Sequence, residues 1–160
     1  MKNSESRCEK NIKDTNYMKS NYIRCIRVLT LSLILCVGGA AAASDAINWR
    51  SYEEGMVLSK IEKKKVFLHF YADWCGFCRN MANTTFKDSS LINYLNDNYM
   101  PIMVNTDREP QTAGNYGVSG LPTTVFLTEM GEPIFSVPGY IPTDPLMSML
   151  KEINGIKTGG

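Results

Sequence analysis

Two cysteines separated by two residues, Cys75 and Cys78, carry the clearest chemical signal in this chain. They follow the apolar run Val66–Tyr71 and precede a helix-like pattern, which places the first thiol where a strand ends and a helix begins. Backbone N–H groups and the helix dipole favour the thiolate there, and the thiolate is the reactive form of cysteine. The spacing therefore indicates a redox pair, in which Cys75 attacks a disulfide and Cys78 resolves the mixed disulfide.

Other uses of a Cys-x-x-Cys pair fit this chain less well. A structural zinc site needs four ligands, but the sequence has no second such pair and His69 is its one histidine. Haem attachment needs a histidine directly after the second cysteine, and Arg79 occupies that position. A purely structural disulfide stays open as an alternative, although so short a loop contributes little stability. We therefore expect no metal and no cofactor.

The N-terminal region has the composition of an export signal. Residues 1–27 carry seven Lys or Arg and three Asp or Glu, and the apolar run 28–37 and the small residues 38–43 follow them. This order is typical of a signal peptide cleaved after Ala43, and Met18 is the expected true start because the basic region is otherwise long. An uncleaved membrane anchor and a lipoprotein signal are the alternatives. We expect an exported, periplasmic protein that contacts the membrane only through this segment.

The remaining chain, residues 44–160, is long enough for one domain with its own core. It keeps two of the five cysteines, because Cys8, Cys25 and Cys36 lie in or before the signal. One pair cannot form a disulfide framework, so we interpret it as reactive in a compartment where disulfides persist. This region is net acidic, which gives no reason to expect a nucleic-acid partner.

Hydrophobic periodicity predicts elements in the order α, β, α, α, β, α, β, β, α. The predicted ranges are 52–65, 66–71, 75–86, 89–96, 100–105, 111–116, 123–128, 133–137 and 144–153. Met130-Gly131-Glu132 predicts a tight turn that joins the last two strands into a hairpin. On the first helix, the side chains expected on the apolar face are Met56, Val57, Leu58 and Ile61. We expect an α/β fold with a central mixed sheet and helices on both faces, and the cysteine pair at the C-terminal end of a central strand.

Two motifs together resemble the thioredoxin superfamily. They are Tyr71–Cys78, which reads Tyr-Ala-Asp-Trp-Cys-Gly-Phe-Cys, and Tyr116–Thr123, which reads Tyr-Gly-Val-Ser-Gly-Leu-Pro-Thr. With the element order, the resemblance covers roughly residues 48–156 and implies a thioredoxin fold. Thr85–Asp88 and Trp49 are similar to the periplasmic reductase domains of bacterial transmembrane thiol electron-transfer proteins.

The resemblance implies a role for each residue around the pair. Cys75 would be an exposed nucleophile and Cys78 a shielded resolving thiol. The implied substrate-binding and supporting residues are Trp74 beside the disulfide, Gly76 and Phe77 between the cysteines, Leu121 through its backbone, a cis Pro122, and Gly139 on an apolar docking surface. Gly-Phe replaces the Gly-Pro of cytosolic thioredoxins, and this dipeptide tunes the reduction potential.

The main departure from the family concerns a buried ion pair. Cytosolic thioredoxins carry an acid on the central strand and a lysine on the next strand, and these positions hold His69 and Met103 in this chain. The loss of both charges together avoids leaving one charge unpaired in the interior. His69 is a candidate for proton transfer with Cys78, because histidine ordinarily titrates near neutral pH. A core histidine with no part in the reaction is the alternative.

The resemblance implies a thiol–disulfide oxidoreductase that reduces disulfides in protein substrates, with a thiol electron donor in the membrane to recharge it. The predicted ranges contain no inserted helical domain and no dimerisation domain, which favours a reductase over a disulfide oxidase or isomerase. A binding or chaperone module without catalysis, which would use the apolar surface around Trp74, Phe77 and Leu121, is the alternative of a different kind.

Overall fold

The computed structural model describes residues 45–156 of the chain. In chain order the helices are α1 (Tyr52–Glu62), α2 (Gly76–Asn83), α3 (Ser89–Asn98), α4 (Pro110–Asn115) and α5 (Thr143–Gly155), and a 3₁₀ turn spans Thr85–Lys87. The strands are β1 (Lys65–Tyr71), β2 (Tyr99–Asn105), β3 (Thr123–Leu127) and β4 (Pro133–Pro138). The expected order of helices and strands is confirmed.

The strands form a mixed sheet with the order β2-β1-β3-β4. β1 pairs in parallel with β2 and antiparallel with β3, so the strand that precedes the cysteines lies inside the sheet as expected. β3 and β4 pair antiparallel, which confirms the predicted hairpin. In its turn, the hydroxyl of Thr128 accepts the N–H groups of Met130 and Glu132, and Gly131 has a φ of 92°, which favours glycine.

Side chains on the two faces of the sheet pack into separate cores, and helices cover both. On one face Val66, Leu68 and Phe70 of β1 pack with residues of α1, α4 and β2. On the other face Phe67 of β1 packs in the cluster that includes residues of α2, α3 and α5. β1 is therefore buried on both faces, which is what its continuous apolar run predicts.

Helix α1 is shorter than predicted. It ends at Glu62, because Lys63 adopts a left-handed conformation with a φ of 53° and its N–H bonds back to the carbonyl of Ser59. Lys65, predicted as the last helical residue, is instead the first residue of β1. Residues 62–65 at this boundary are all charged, so hydrophobic periodicity alone did not locate the end of the helix.

The buried face of α1 also differs from the prediction. Val57 and Ile61, expected on the apolar face, are 59% and 69% exposed. The buried positions belong to Gly55 and Ser59. At Gly55 an added Cβ would collide with the side chain of Ile102 on β2, so the helix lies close to the sheet through its smallest residues. Close packing therefore turns Val57 and Ile61 outwards.

The helix predicted over 75–86 is divided in two. Cys75 is the N-cap of α2 and has extended backbone angles, so it precedes the helix. α2 ends at Asn83, and the 3₁₀ turn follows it before Asp88 caps α3 by accepting the N–H of Leu91 at 2.9 Å.

The predictions about the signal peptide, cleavage after Ala43 and a start at Met18 concern residues outside the described part of the chain. Within residues 45–156, no helix combines the length and the apolar character needed to span a membrane.

Candidate active site

A disulfide bond joins Cys75 and Cys78 where β1 gives way to α2. Cys75 caps the helix, and its Sγ accepts a hydrogen bond from the backbone N–H of Cys78 at 3.1 Å. The same N–H and the positive end of the helix dipole favour negative charge on this sulfur when the disulfide is open. Cys75 is therefore the sulfur of the pair that is suited to act as nucleophile and as leaving group.

The two cysteines do not differ in exposure as the resemblance implied. Cys75 is 5% exposed and Cys78 is 4% exposed, so the expected exposure of Cys75 is wrong for the closed disulfide. Both pack with Ala72, and Tyr71 and Leu121 partly cover the same cluster. The chemical difference between the two sulfurs therefore comes from the hydrogen bond to Cys75 and not from access to solvent.

The loop that precedes β3 lies beside the disulfide. Leu121 packs on the cysteine cluster, and the Leu121–Pro122 peptide bond is cis. The N–H of Gly139 donates to the carbonyl of Pro122 at 2.7 Å, which ties the start of β3 to the end of β4. Gly139 has a φ of 93°, a left-handed conformation that a side chain would strain. The structure thus brings these three residues to the same end of the sheet as the cysteine pair.

Two aromatic side chains next to the cysteines are open to solvent. Trp74 is 69% exposed and Phe77 is 67% exposed. The indole N–H of Trp74 donates to Oδ2 of Asp107 at 3.0 Å, which holds the ring beside the site. Gly76 begins α2 with open space where its side chain would be. This apolar, uncovered surface beside a reactive pair is suited to dock another chain.

Sequence reasoning did not connect three charged residues with this site: Asp107, Arg108 and Arg79. Nη2 of Arg108 lies 3.4 Å from Oδ2 of Asp73, and Nη1 of Arg79 donates to the carbonyl of Asp73 at 2.8 Å. Arg108 and Asp107 lie on the loop after β2, whereas Arg79 lies on α2, so no spacing along the chain links them. The Asp73–Arg108 pair is largely exposed and contributes little stability.

His69 is a buried residue on the face of β1 that carries Phe67. It is 2% exposed, and its Nδ1 lies 3.2 Å from Oγ1 of Thr124 on β3. Burial lowers the pKa of His69 to about 3, so the imidazole is neutral at physiological pH. The expectation that this histidine titrates near neutral pH is therefore wrong. Met103 is its register partner on β2, so the two departures from the family lie side by side.

A cavity of about 250 Å³ is lined by these two residues and by one cysteine of the pair. Cys78, His69 and Met103 line it, with Ala82 and Phe86. Cys75 is not among the lining residues. Within residues 45–156, no three His, Cys, Asp or Glu side chains are grouped as a metal site would require.

The first cysteine of the disulfide caps a helix at the end of a central strand of a mixed sheet. This arrangement defines a thiol–disulfide redox domain. Residues 52–154 match the model of a family described as a thioredoxin-like domain. The chain therefore belongs to the thioredoxin-like family, and it holds a cysteine pair with the spacing of a thiol–disulfide oxidoreductase.

Individual relatives agree with this assignment. Thioredoxin 1 of Synechococcus elongatus is 30% identical over 111 residues, which cover 69% of this chain and 94% of the relative. The thiol:disulfide interchange protein DsbD of Photorhabdus laumondii is 31% identical over 90 residues, which cover 54% of this chain but 15% of that much longer relative. Among solved structures, a DsbH oxidoreductase aligns with a TM-score of 0.62 at 20% identity, over 76% of this chain and 94% of the other. That likeness concerns the fold, and the expected α/β thioredoxin fold is confirmed.

Proposed function

We propose that this chain is an exported, periplasmic reductase of disulfides in protein substrates, and that a thiol electron donor in the membrane recharges it. The observation that carries the chemistry is the hydrogen bond from the Cys78 N–H to Cys75 Sγ at 3.1 Å. It favours the Cys75 thiolate, which is the form that attacks a disulfide.

The reaction balances with the two cysteines alone. The Cys75 thiolate attacks one sulfur of the substrate disulfide, a mixed disulfide forms, and the other substrate sulfur leaves as a thiolate. Cys78 gives its proton to the substrate thiolate that has left and attacks the Cys75 sulfur. The second substrate thiolate then leaves, and the Cys75–Cys78 disulfide closes. The substrate gains two electrons, which the membrane donor must replace before the next cycle.

The proposed export and the proposed direction of electron flow are supported by the sequence. The basic and apolar segments of residues 1–43 support export. The similarity to part of a thiol:disulfide interchange protein supports exchange with another thiol protein as the source of electrons. The exposed rings of Trp74 and Phe77 support docking of a protein substrate over the cysteine pair.

The reduction potential of the Cys75–Cys78 pair tests the direction. The chain is equilibrated with mixtures of reduced and oxidised glutathione, and the disulfide fraction is measured by alkylation and intact mass. A potential near about −270 mV supports the reductase, whereas a value of about −120 to −180 mV would make oxidation or isomerisation the function.

The roles of the two cysteines are tested by trapping. Cys78→Ser should accumulate mixed disulfides between Cys75 and protein substrates, because nothing resolves them. Cys75→Ser is the matched control and should trap none. Equal trapping by both variants would contradict the assigned roles, and a Cys75→Ser strain with full cellular function would favour a binding or chaperone module.

Amino-terminal sequencing of the periplasmic protein should begin at Ser44, and recovery in the cytosol with residues 1–43 intact would contradict export.

A further inference from the structure

The cavity beside the disulfide reaches one cysteine of the pair. Cys78 lines it, whereas Cys75 is not among its lining residues. Both cysteines are otherwise almost fully covered, at 4% and 5% exposure. The cavity therefore offers an approach to Cys78 that does not pass over Cys75 or over the exposed surface of Trp74 and Phe77.

The size and lining of the cavity restrict what can enter. Its volume of about 250 Å³ lies below the roughly 300 to 1,000 Å³ of typical ligand pockets, so it suits a molecule of a few heavy atoms. Phe86, Met103 and the neutral imidazole of His69 make its interior largely apolar.

The charged residues that line the cavity are Asp73 and Arg79, and both are exposed. The carboxylate of Asp73 is paired with Arg108 at 3.4 Å, which offsets its charge. The guanidinium of Arg79 contacts the Asp73 carbonyl, a neutral group, at 2.8 Å. A small anion approaching the cavity therefore meets a cation whose observed partner carries no charge.

We propose that this cavity admits a low-molecular-weight thiol, which reduces the closed disulfide by attacking Cys78. The proposal rests on the proposed redox cycle of the cysteine pair and adds a second entrance to it. In the first step a small thiolate bonds to Cys78 Sγ, the Cys75–Cys78 bond breaks, and Cys75 leaves as a thiolate. The N–H of Cys78 already donates a hydrogen bond to Cys75 Sγ, and this bond makes Cys75 the better leaving group of the two cysteines.

A second small thiol completes the reduction. Its thiolate attacks the small-molecule sulfur of the mixed disulfide, and Cys78 leaves as a thiolate that takes a proton from water. The protein disulfide is reduced to two thiols, and two small thiols are oxidised to one small disulfide. Protein substrates react at Cys75 from the side of the exposed rings of Trp74 and Phe77, while small thiols enter through the cavity.

The reverse of the second step, in which a Cys78 thiolate attacks a small disulfide, isolates Cys78 experimentally. In a Cys75→Ala variant of the full chain, Cys78 should react with 2-hydroxyethyl disulfide, and peptide mapping follows the mixed disulfide on Cys78 over time. Adding Ala82→Phe fills the cavity from an exposed helical position and should slow this reaction at least about tenfold. Asn83→Phe is the matched control, because it adds the same ring to α2 at an exposed residue outside the cavity lining, and it should leave the rate within about twofold.

The outcomes separate this proposal from the proposed function. If Cys78 does not react, the proposed entry of small thiols through the cavity is overturned. The same holds if both phenylalanine variants slow the reaction equally, or if neither variant slows it. Such a result leaves the reductase standing if Cys78→Ser still traps protein substrates through Cys75. Failure of that trapping overturns the reductase, whatever Ala82→Phe does to Cys78.

Discussion

Acidification should destabilise this protein through His69, the one histidine in the chain. In the folded state burial lowers the pKa of His69 from 6.5 to about 3. In the unfolded state the side chain is hydrated and its pKa returns to about 6.5. Between these two values the unfolded chain binds a proton that the folded chain excludes. The contribution of His69 to stability is therefore fully present above pH 6.5 and is lost as the pH falls towards 3.

The size of the effect follows from the distance between the two pKa values. About pH 4.5 lies two units below the pKa of the unfolded histidine, and each unit is worth roughly 1.4 kcal/mol, so the free energy of unfolding falls by about 3 kcal/mol. At about pH 7.5 the same side chain is neutral in both states and the loss is close to zero. A loss of this size is a large fraction of the stability of a small domain.

Urea unfolding of the oxidised chain at the two pH values measures the effect. His69→Gln is the matched variant, because an amide still faces Thr124 but binds no proton. The two proteins share every other ionisable group, so the contributions of those groups cancel in the comparison. Between about pH 7.5 and about pH 4.5, the free energy of unfolding should fall by about 2–3 kcal/mol more in wild type than in His69→Gln. Equal losses would refute the reasoning, as would an NMR titration that shows the His69 ring protonating with a midpoint near 6.5 in the folded protein.

Two further substitutions test packing and docking. Gly55→Ala should lower the free energy of unfolding by about 1–2 kcal/mol, because overpacking against Ile102 costs up to about 3 kcal/mol and alanine gains roughly 1 kcal/mol over glycine in a helix. A urea midpoint equal to or above that of wild type would contradict this. Trp74→Ala should raise the KM for a protein disulfide substrate about two- to twelvefold, because an aromatic contact contributes about 0.5–1.5 kcal/mol. Its rate with 2-hydroxyethyl disulfide should stay unchanged, and an equal loss with both substrates would show that the ring acts on the sulfurs and not on docking.

The sequence was sufficient for features that depend on neighbours along the chain. Apolar periodicity and turn residues are local signals, so the element order, the β3–β4 hairpin and the position of the cysteine pair after a central strand could be predicted. The motif around Cys75 and Cys78 likewise indicated thiol–disulfide chemistry, because helix capping and the dipole act within a few residues.

Tertiary structure decided the properties that depend on contacts between distant segments. Asp107 meets Trp74, and Arg108 meets Asp73, only because the loop after β2 folds back to the start of α2. Close approach of α1 to β2 buries Gly55 in place of the larger apolar residues nearby. No local pattern encodes these distances.

Burial is the second property that only the assembled fold decides. The pKa of His69 depends on how completely the surrounding elements remove water from it, and its position on a strand does not reveal that. The packing of Leu121, from a loop far along the chain, against the cluster that holds both cysteines has the same origin. Residue type and spacing determined which chemistry this protein performs, whereas packing decided which groups are charged, covered or within reach, because desolvation and access depend on every neighbour in space.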